Sequence, residues 1–540
     1  MRFLNKYMGI LLLLISICYA KNLIYNWQSH ASQLFSPKEY IKLRSEVVQQ
    51  NIYNGIDAEV RFGNELPPQE QEYVKHRKIK VQKALEKIVG ISLEDKYVPT
   101  ISLICSGGGY RAMLGSLGSW AGLQHIGVLD AVMYISALSG STWALGLWMS
   151  TGMPISRLKN YVSQRLLRDI YYFNKQSAQY MAHMLATKIA FNQPCTTVDL
   201  FGALIANHLL GSFYGKKCQM IHMSEQMKHL QHGNMPFPIY TAVDGRMRVA
   251  NKAPWYEFTP LEVGSSDYDV YVPTWACGRY FSNGKSTDYA PEQSLGFFFG
   301  VFGSAFGAHV GLAWDRLIKD LTPSIIRSAI EAMLTKSHLE KARVFWAKLP
   351  NYMFGLNDYD VSNNKYLKLI DAGIEFNLPY PPVSGERFER MPDVLIFFDF
   401  SRRNIPYALK KVEEYAHNKG LKFPHIDYHN IEKKTISVFK DQKDTSVPVV
   451  IYIPRISDKS LWEEKKLNPY FKKYKNIEDF DFNECAQSGH CHTLNFRYTL
   501  HQSKQVMNQM EFNVIANKQQ IIDVIKWVIE RKSKINENQE

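Results

Sequence analysis

Short apolar runs alternate along this chain with longer stretches that carry apolar residues at helical spacing. The runs are rich in β-branched and aromatic residues, and they lie at Ile101–Cys105, Val132–Ser136, Lys365–Asp371, Val394–Phe400 and Val449–Pro454. Helical spacing dominates between them, above all over residues 151–235. Strands that are separated by helices predict an α/β fold with a mainly parallel sheet and helices on both faces.

The helical stretches differ in polarity, which predicts different places for them in the fold. Helices are expected over residues 36–50, from Pro67 to Gly90 and over Asn517–Lys532, where caps and amphipathic spacing agree. The Phe- and Gly-rich stretch Leu295–Leu312 suits a buried helix beside a site, and the amphipathic residues 318–345 suit a cover over a pocket. Because no Pro- or Ser-rich linker divides the chain, we expect one large domain with helical insertions.

The first twenty residues have a pattern of their own. Arg2 and Lys6 precede the apolar run Gly9–Ile15, and Cys18–Ala20 resembles a small-x-small cleavage site. This is the pattern of a secretory signal peptide, and the run is short for a membrane span. We therefore expect a signal peptide over 1–20, a linker over 21–35, a folded domain over 36–535 and a secreted protein. An uncleaved anchor is the alternative.

The charge of the chain bears on what it meets. Its 540 residues carry a formal net charge of +13, to which Arg2 and Lys6 contribute two. The net positive charge of a chain without a nucleic-acid motif favours binding to anionic surfaces such as lipid headgroups. The alternative is that this charge only keeps the protein soluble. The helix after Pro67 has one basic face, and its Lys75 and Lys78 are candidates for such a surface.

Six of the seven cysteines lie beyond residue 20, and an even number permits disulfides in an oxidising compartment. Cys485 and Cys491 are close enough in sequence for a local bridge. Cys105 abuts a glycine-rich turn and is expected to be a small buried hydrophobic residue. Histidines beside Cys491 make only a weak metal pattern, so we expect no metal and no organic cofactor.

Two turns rich in small residues follow the first two predicted strands. Ser106–Arg111 contains three glycines, and such a turn before a helix directs backbone N–H groups and the positive end of a helix dipole to one point. Ala137–Ser141 places Ser139 on a sharp turn between strand and helix, although it departs from Gly-x-Ser-x-Gly at both ends. Together the two turns predict an oxyanion hole beside a serine nucleophile.

A serine nucleophile needs a base, and sixteen histidines make a Ser-His-Asp triad the default expectation. Asp371 is a sharper candidate, since it ends an apolar run and Ala372-Gly373 follows it. A carboxylate at a strand end occupies the usual place of a site residue in an open α/β sheet. If burial raises its pKa, such a group can take the serine proton directly. The alternative is that Asp371 only caps a turn.

Seven stretches of this sequence resemble the catalytic domain of the cytosolic group IV phospholipases A2 and the related fungal phospholipase B (lysophospholipase) enzymes. They are Ser106–Arg111, Leu138–Trp143, Glu257–Gly264, Gly300–Phe306, Asp371–Pro381, Phe398–Ser401 and Asn495–Tyr498. The resemblance extends from about residue 36 to about residue 533. It implies a patatin-like fold of three α/β/α layers, with a mainly parallel central sheet and helical lid insertions.

The resemblance also implies a role for each candidate residue. Ser139 matches the nucleophile and Asp371 the base of a Ser–Asp dyad that lacks histidine. Gly108 and Gly109 match the oxyanion hole, with Gly107 beside them.

Arg111 matches an arginine that family members need for activity, which implies contact with the substrate phosphate. Arginine suits that role because its planar fork can bind phosphate through two nitrogens. Ala137 departs from the family, which usually has glycine there. No calcium-dependent membrane-docking module precedes residue 36, so we expect activity without calcium.

The function that these observations predict is hydrolysis of fatty-acyl esters in phospholipids or lysophospholipids through an acyl-enzyme. Two alternatives remain open: a lipid-binding protein on the same fold without turnover, and a general carboxylesterase. The expected partners are the lipid substrate and, peripherally, a membrane surface. We expect no nucleic acid as a partner and a monomeric protein.

Overall fold

The computed structural model describes residues 45–170, 184, 187–188, 190–213, 216–217, 220–246, 253–305, 346–357, 359–402 and 405–537. The signal peptide and linker predicted for residues 1–35 lie outside this part of the chain, and so does the cover predicted for 318–345. The helix predicted over 36–50 is described from residue 45 onward, where it is helical.

Twelve strands form one sheet, in the order β1-β9-β8-β7-β6-β3-β2-β14-β16-β15, with β13 and β12 joined to it through β6. Two short hairpins, β4-β5 and β10-β11, stand apart from it. The strand bounds are β1 Arg61–Phe62, β2 Ile101–Cys105, β3 Tyr134–Ala137, β4 Ser212–Phe213, β5 Lys216–Lys217, β6 Phe237–Asp244, β7 Trp255–Phe258, β8 Glu262–Ser265, β9 Val270–Pro273, β10 Phe281–Ser282, β11 Lys285–Ser286, β12 Ala347–Pro350, β13 Tyr366–Asp371, β14 Val394–Asp399, β15 Ser437–Phe439 and β16 Val449–Pro454.

Helices precede, separate and follow these strands. Apart from the helical residues 45–50, the α-helices of the described residues are α1 Pro68–Val89, α2 Tyr110–His125, α3 Gly140–Thr151, α4 Ile155–Arg165, α5 Thr197–Leu209, α6 Met227–Leu230, α7 Leu295–Phe302, α8 Tyr407–Asn418, α9 Lys459–Lys465, α10 Phe482–Gln487, α11 Leu500–Ala516 and α12 Lys518–Glu537. None of them is both long enough and apolar enough to span a bilayer.

The centre of the sheet is parallel, as the sequence predicts. β6, β3, β2, β14 and β16 are parallel neighbours, and every residue of these five strands is buried. Parallel strands read as continuous apolar runs because helices cover both of their faces. The α/β prediction with a patatin-like architecture is confirmed. The antiparallel extension β7-β8-β9-β1 was not predicted, because its strands have at most four residues and carry little periodicity.

One edge of β6 is shared by two strands, and this positions the candidate site. β3 pairs with the first half of β6, up to Ala137 opposite Tyr240. β13 pairs antiparallel with the second half, from Leu369 opposite Asp244 to Asp371 opposite Ala242. β7 occupies the other edge of β6. The C-terminal ends of β3 and β13 therefore point toward each other. Asp371 was expected on a parallel strand, and the structure places it on an antiparallel one.

The basic helix α1 lies at the end of the sheet where the central strand β3 begins. Its Arg77 is 2% exposed and donates to the carbonyl oxygen of Val132 from Nε (2.9 Å) and Nη2 (2.7 Å). Two lysines on its outer face pair with neighbouring acids, Lys75 with Glu72 and Lys78 with Asp95. Since Ser139 follows the other end of β3, this basic face is remote from the candidate nucleophile.

Candidate active site

Ser139 stands at a strained turn between β3 and α3. Its backbone has φ 50° and ψ −124°, a conformation that residues other than glycine rarely adopt, and only 3% of the residue is exposed. Strain of this kind persists only where the surrounding structure enforces it. The next residue shows how: a Cβ carbon on Gly140 would lie 1.9 Å from the carbonyl oxygen of Gly109. Small residues are therefore required where the serine turn meets the glycine turn.

The glycine turn between β2 and α2 packs directly against Ser139. A Cβ carbon on Gly107 would lie 2.8 Å from Cβ of Ser139. Gly108 and Gly109 have φ of 146° and 62°, a region that favours glycine. Gly109 is the N-cap of α2, so the N–H groups here have no acceptor within the helix and face the positive end of its dipole.

Asn377 holds this turn in place and was not singled out by the sequence analysis. Its side-chain oxygen accepts from Gly107 N at 3.2 Å, and its nitrogen donates to Gly107 O at 3.2 Å and to Ser401 Oγ at 2.7 Å. The N–H of Gly107 is thus already bonded within the turn. A contact across 270 residues leaves no local pattern, so only the resemblance of Asp371–Pro381 pointed to this segment.

Asp371 is buried at the end of β13 and reaches Ser139. Its Oδ1 accepts from Gly373 N at 2.9 Å, and its own N–H donates to Ser304 Oγ at 2.9 Å. Burial raises the pKa of the Asp371 carboxyl to about 7, while hydrogen bonds from Gly373 and from the Ser139 side chain oppose that shift. A carboxyl group poised near neutrality beside a serine hydroxyl can act as its base. Capping a turn is therefore only part of what its geometry allows.

Arg111 lies in the first turn of α2, 1% exposed, behind the glycine turn. Its Nε donates to Phe400 O at 2.8 Å, and its Nη1 donates to Cys491 O at 2.6 Å and to Thr493 Oγ1 at 3.1 Å. The remaining nitrogen, Nη2, lies beside Gly108, where a Cβ carbon would come within 2.6 Å of it. Burial, with repulsion from Arg455, lowers the pKa of Arg111 to about 9.

Ser141 occupies the last position of the elbow, where glycine is usual, and it bonds inward. Its Oγ donates to Ser106 O at 2.6 Å and contacts Ser116 Oγ at 2.9 Å. Ser106 Oγ in turn accepts from Phe400 N at 2.6 Å. These bonds join the two turns to the end of β14, so the departure from glycine is structural.

The cysteine predictions have definite outcomes in the described residues. Cys485 and Cys491 form a disulfide, and Cys105 is fully buried. His490 brings a third potential metal-binding atom within 4.8 Å of the two sulfurs. Because thiolates are the sulfur ligands of metals, two sulfurs that are bonded to each other do not make such a site.

Comparison with known proteins identifies a family and several relatives that this chain resembles. Residues 101–401 match the family model described as the lysophospholipase catalytic domain. Human cytosolic phospholipase A2 zeta is 28% identical over 467 residues, which cover 74% of this chain and 54% of that protein. The mouse protein of the same name is 25% identical over 549 residues, 88% of this chain and 63% of that protein. The chain thus spans less than two thirds of the length of these relatives.

Solved structures agree on the fold. Human GIVD cytosolic phospholipase A2 superposes with a TM-score of 0.74 at 21% identity, over 87% of this chain and 68% of that chain. The same protein in complex with methyl gamma-linolenyl fluorophosphonate gives a TM-score of 0.69 at 21% identity, over 88% of this chain and 66% of that chain.

The prediction of a secreted protein is wrong. The relatives are named cytosolic, which contradicts secretion and lends no support to a signal peptide over residues 1–20. The prediction rested on a basic start and a short apolar run, a pattern that reports the hydropathy of that segment and nothing of the folded domain.

The match to the family model covers more than half of the chain and includes both turns and Asp371. The chain therefore belongs to the lysophospholipase catalytic domain family, together with the cytosolic phospholipases A2 that it resembles.

Proposed function

We propose that this protein is a serine acyl hydrolase that cleaves fatty-acyl esters of phospholipids, lysophospholipids or both. The observation that carries the proposal is the contact between Ser139, on its strained turn, and Asp371, whose pKa burial raises to about 7. Neither feature is needed for folding, since a strained serine and a buried carboxyl group both cost stability.

In the first half-reaction, Ser139 Oγ attacks the ester carbonyl carbon while Asp371 takes the hydroxyl proton. The N–H groups of Gly108 and Gly109 donate to the oxyanion of the tetrahedral intermediate, as donors in this position do in other acyl transfers. The intermediate collapses with loss of the alcohol, which takes up the proton from Asp371. The acyl group remains on Ser139 as an ester.

In the second half-reaction, water takes the place of the alcohol. Asp371 accepts a proton from the water as it attacks the acyl carbon, and the same two N–H groups stabilise the second oxyanion. Collapse releases the fatty acid and returns the proton to Ser139 Oγ. These steps use only side chains and backbone groups of this chain.

We propose that Arg111 contributes in two ways. Nε and Nη1 hold backbone carbonyls and so fix the guanidinium behind the glycine turn. Among the described residues, Nη2 has no hydrogen-bond partner, which leaves this nitrogen for an oxygen of the substrate phosphate. A preference for phospholipids over neutral esters would follow, whereas a general carboxylesterase would show none.

We also propose that residues 36–535 act as one catalytic domain, monomeric and peripheral to membranes. The turn after Asp371 exposes Ile374, 56% of which is accessible, three residues from the candidate base. An exposed aliphatic side chain beside a lipid-hydrolysing site suits contact with a lipid aggregate. Activity without calcium remains a prediction.

The proposal is tested by labelling with a fluorophosphonate and by product analysis. Ser139→Ala should abolish labelling, and Ser139→Ala and Asp371→Asn should each abolish hydrolysis, with the double variant little worse because the two groups act as a unit. The matched control is Ser102→Ala, which removes a different buried serine hydroxyl, one that lies on β2. This variant should keep full activity.

Mass spectrometry of the products from a mixed-chain phosphatidylcholine and from its lyso form would identify the ester that is cleaved. A folded wild-type protein that neither reacts with the probe nor releases fatty acid would favour the alternative of a lipid-binding protein without turnover.

A further inference from the structure

A disulfide lies behind the candidate oxyanion hole, and the proposed mechanism does not use it. Cys485 belongs to α10, and Cys491 lies six residues further along, at the end of the short loop that the bridge closes. The bridge is buried, with Cys491 fully inaccessible and Cys485 6% exposed.

The side chain of Arg111 connects the bridge to the glycine turn. The carbonyl oxygen of Cys491 accepts from Arg111 Nη1 at 2.6 Å. Thr493 Oγ1, two residues further along, accepts from the same nitrogen at 3.1 Å. The other end of the guanidinium lies against Gly108, at a distance that no Cβ carbon would tolerate. The bridge therefore contacts Arg111 through Cys491 O, and Arg111 in turn contacts Gly108.

The position of Arg111 depends on these acceptors. A buried guanidinium must find hydrogen-bond partners to offset the cost of leaving water, and the partners of Arg111 among the described residues are two carbonyls and one hydroxyl. Phe400 directly follows the buried strand β14, whereas Cys491 is part of the bridge and Thr493 lies two residues beyond it. A shift of the loop that the bridge closes therefore shifts the guanidinium.

We propose that the Cys485–Cys491 disulfide is a positioning element for the oxyanion hole, and that its reduction by a dithiol slows acyl transfer at Ser139. The inference rests on the proposed function, because it takes Gly108 as an oxyanion donor. The bridge fixes Cys491 O, this oxygen fixes Arg111, and Arg111 fixes Gly108.

The redox step is a thiol–disulfide exchange. A thiolate of the reductant attacks the sulfur of the more exposed residue, Cys485, and Cys491 leaves as a thiolate that takes up a proton. The second thiol of the reductant then displaces Cys485 and closes a cyclic disulfide. Two electrons pass from the dithiol to the bridge, and two cysteine thiols result. Relatives of this chain are named cytosolic, and disulfides in that compartment are mostly transient or redox-sensing.

The test follows the rate at which a fluorophosphonate labels Ser139 in the folded protein, before and after treatment with dithiothreitol. Alkylation and mass spectrometry verify that Cys485 and Cys491 have become free thiols. We expect the rate to fall about tenfold, less than the loss of a whole oxyanion donor causes. The double variant Cys485→Ser/Cys491→Ser should label at the reduced rate with or without dithiothreitol.

Two further variants separate this effect from others. Cys277→Ala removes a buried cysteine that forms no bridge and should keep both the wild-type rate and the response to dithiothreitol. Thr493→Val keeps the shape of the side chain but removes one acceptor of Arg111, and should lower the rate without reduction. This variant also serves if the double variant does not fold.

Hydrogen exchange of the backbone amides of residues 107–111 gives a readout that is independent of catalysis. Exchange should accelerate on reduction of the wild type. If the oxidised protein does not react with the probe and yet exchange accelerates on reduction, the proposed function fails, whereas the positioning of residues 107–111 by the bridge stands. Full reduction that leaves both labelling and exchange unchanged would overturn the inference, as would an equal loss of labelling in the double variant on adding dithiothreitol.

Discussion

The carboxyl group of Asp371 must meet two opposing requirements. In the proposed mechanism it must be ionised to accept the proton of Ser139, yet 1% exposure makes ionisation costly, so burial raises its pKa from 3.8 to about 7. A carboxyl group whose pKa is raised on folding stabilises the folded state when it is protonated, and this contribution is lost as the pH rises through the folded pKa. The proposed mechanism therefore requires Asp371 to ionise over the same pH range in which its ionisation lowers the stability of the folded state.

The rate of hydrolysis should consequently depend on Asp371. We expect kcat/KM for a soluble ester to rise from pH 5 to pH 8, with a single inflection near pH 7. Asp371→Asn should lose this activity and gain stability relative to the wild type, on the order of a few kcal/mol at pH 8 and less than half of that at pH 5, because the penalty grows between the two pKa values of 3.8 and about 7. A pH–rate profile measures the change in kcat/KM, and denaturation curves at pH 5 and pH 8 measure the change in stability. A profile that is flat between pH 5 and 8 would exclude Asp371 as the base.

Substitution of Arg111 distinguishes its two proposed roles. Arg111→Lys cannot hold Phe400 O and Cys491 O together and lacks a nitrogen for phosphate, because a lysine offers one point charge. We expect kcat/KM to fall about tenfold on a neutral ester and about a hundredfold on a phospholipid, since one strong hydrogen bond to a charged group accounts for the difference. Parallel assays on both substrates provide the measurement. Equal losses would show that Arg111 only holds the fold.

At the scale of elements, the site is made by two strands that meet end to end along β6. The sequence could predict Ser139 and Asp371 because each ends an apolar run at a turn of small residues, which is a local pattern. It could not predict that β13 is antiparallel, because pairing with Ala242–Asp244 depends on a contact across more than a hundred residues. Asn377, Ser304 and Thr493 were not singled out for the same reason, since each acts on a segment distant in sequence.

The contact between the two turns can be tested at Gly140. Gly140→Ala places a methyl group 1.9 Å from Gly109 O, so the two turns must separate. We expect fluorophosphonate labelling of Ser139 to slow at least about a hundredfold, as when an oxyanion donor is lost. Gly245→Ala is the control, because a Cβ carbon there comes no closer than 3.4 Å to its neighbours. Wild-type labelling by a folded Gly140→Ala protein would contradict the arrangement.

At the scale of the whole molecule, a buried ionic network ties the antiparallel extension to the parallel centre. Arg390, just before β14, donates to Glu70 of α1 at 2.7 and 2.8 Å and to Glu257 of β7 at 2.9 and 3.0 Å. Burial alone would raise the pKa of Glu257, but Arg390 and Arg387 hold it below its usual value. The network thus stabilises the fold above the usual pKa of a glutamate and loses this contribution as the pH falls.

Removal of the central cation should expose how much the fold relies on this network. Arg390→Met leaves Glu70 and Glu257 buried without a shared partner, so the free energy of unfolding should fall by about 3–5 kcal/mol. Lys78→Met breaks the surface pair with Asp95 and should cost about 0–1 kcal/mol. Urea denaturation at neutral pH compares the two variants. A loss for Arg390→Met as small as that of the control would show that the network contributes little to stability.

The location of α1 has a practical consequence for how the protein can be handled. This helix packs against the end of the sheet where β3 starts, while Ser139 follows the other end of that strand. A cysteine introduced by Lys75→Cys, on the solvent-facing side of α1, would let the protein be tethered to a bead or labelled with a dye. The tethered molecule would turn the end of the sheet that carries the candidate site toward the solution, so vesicles could reach that site without hindrance from the support.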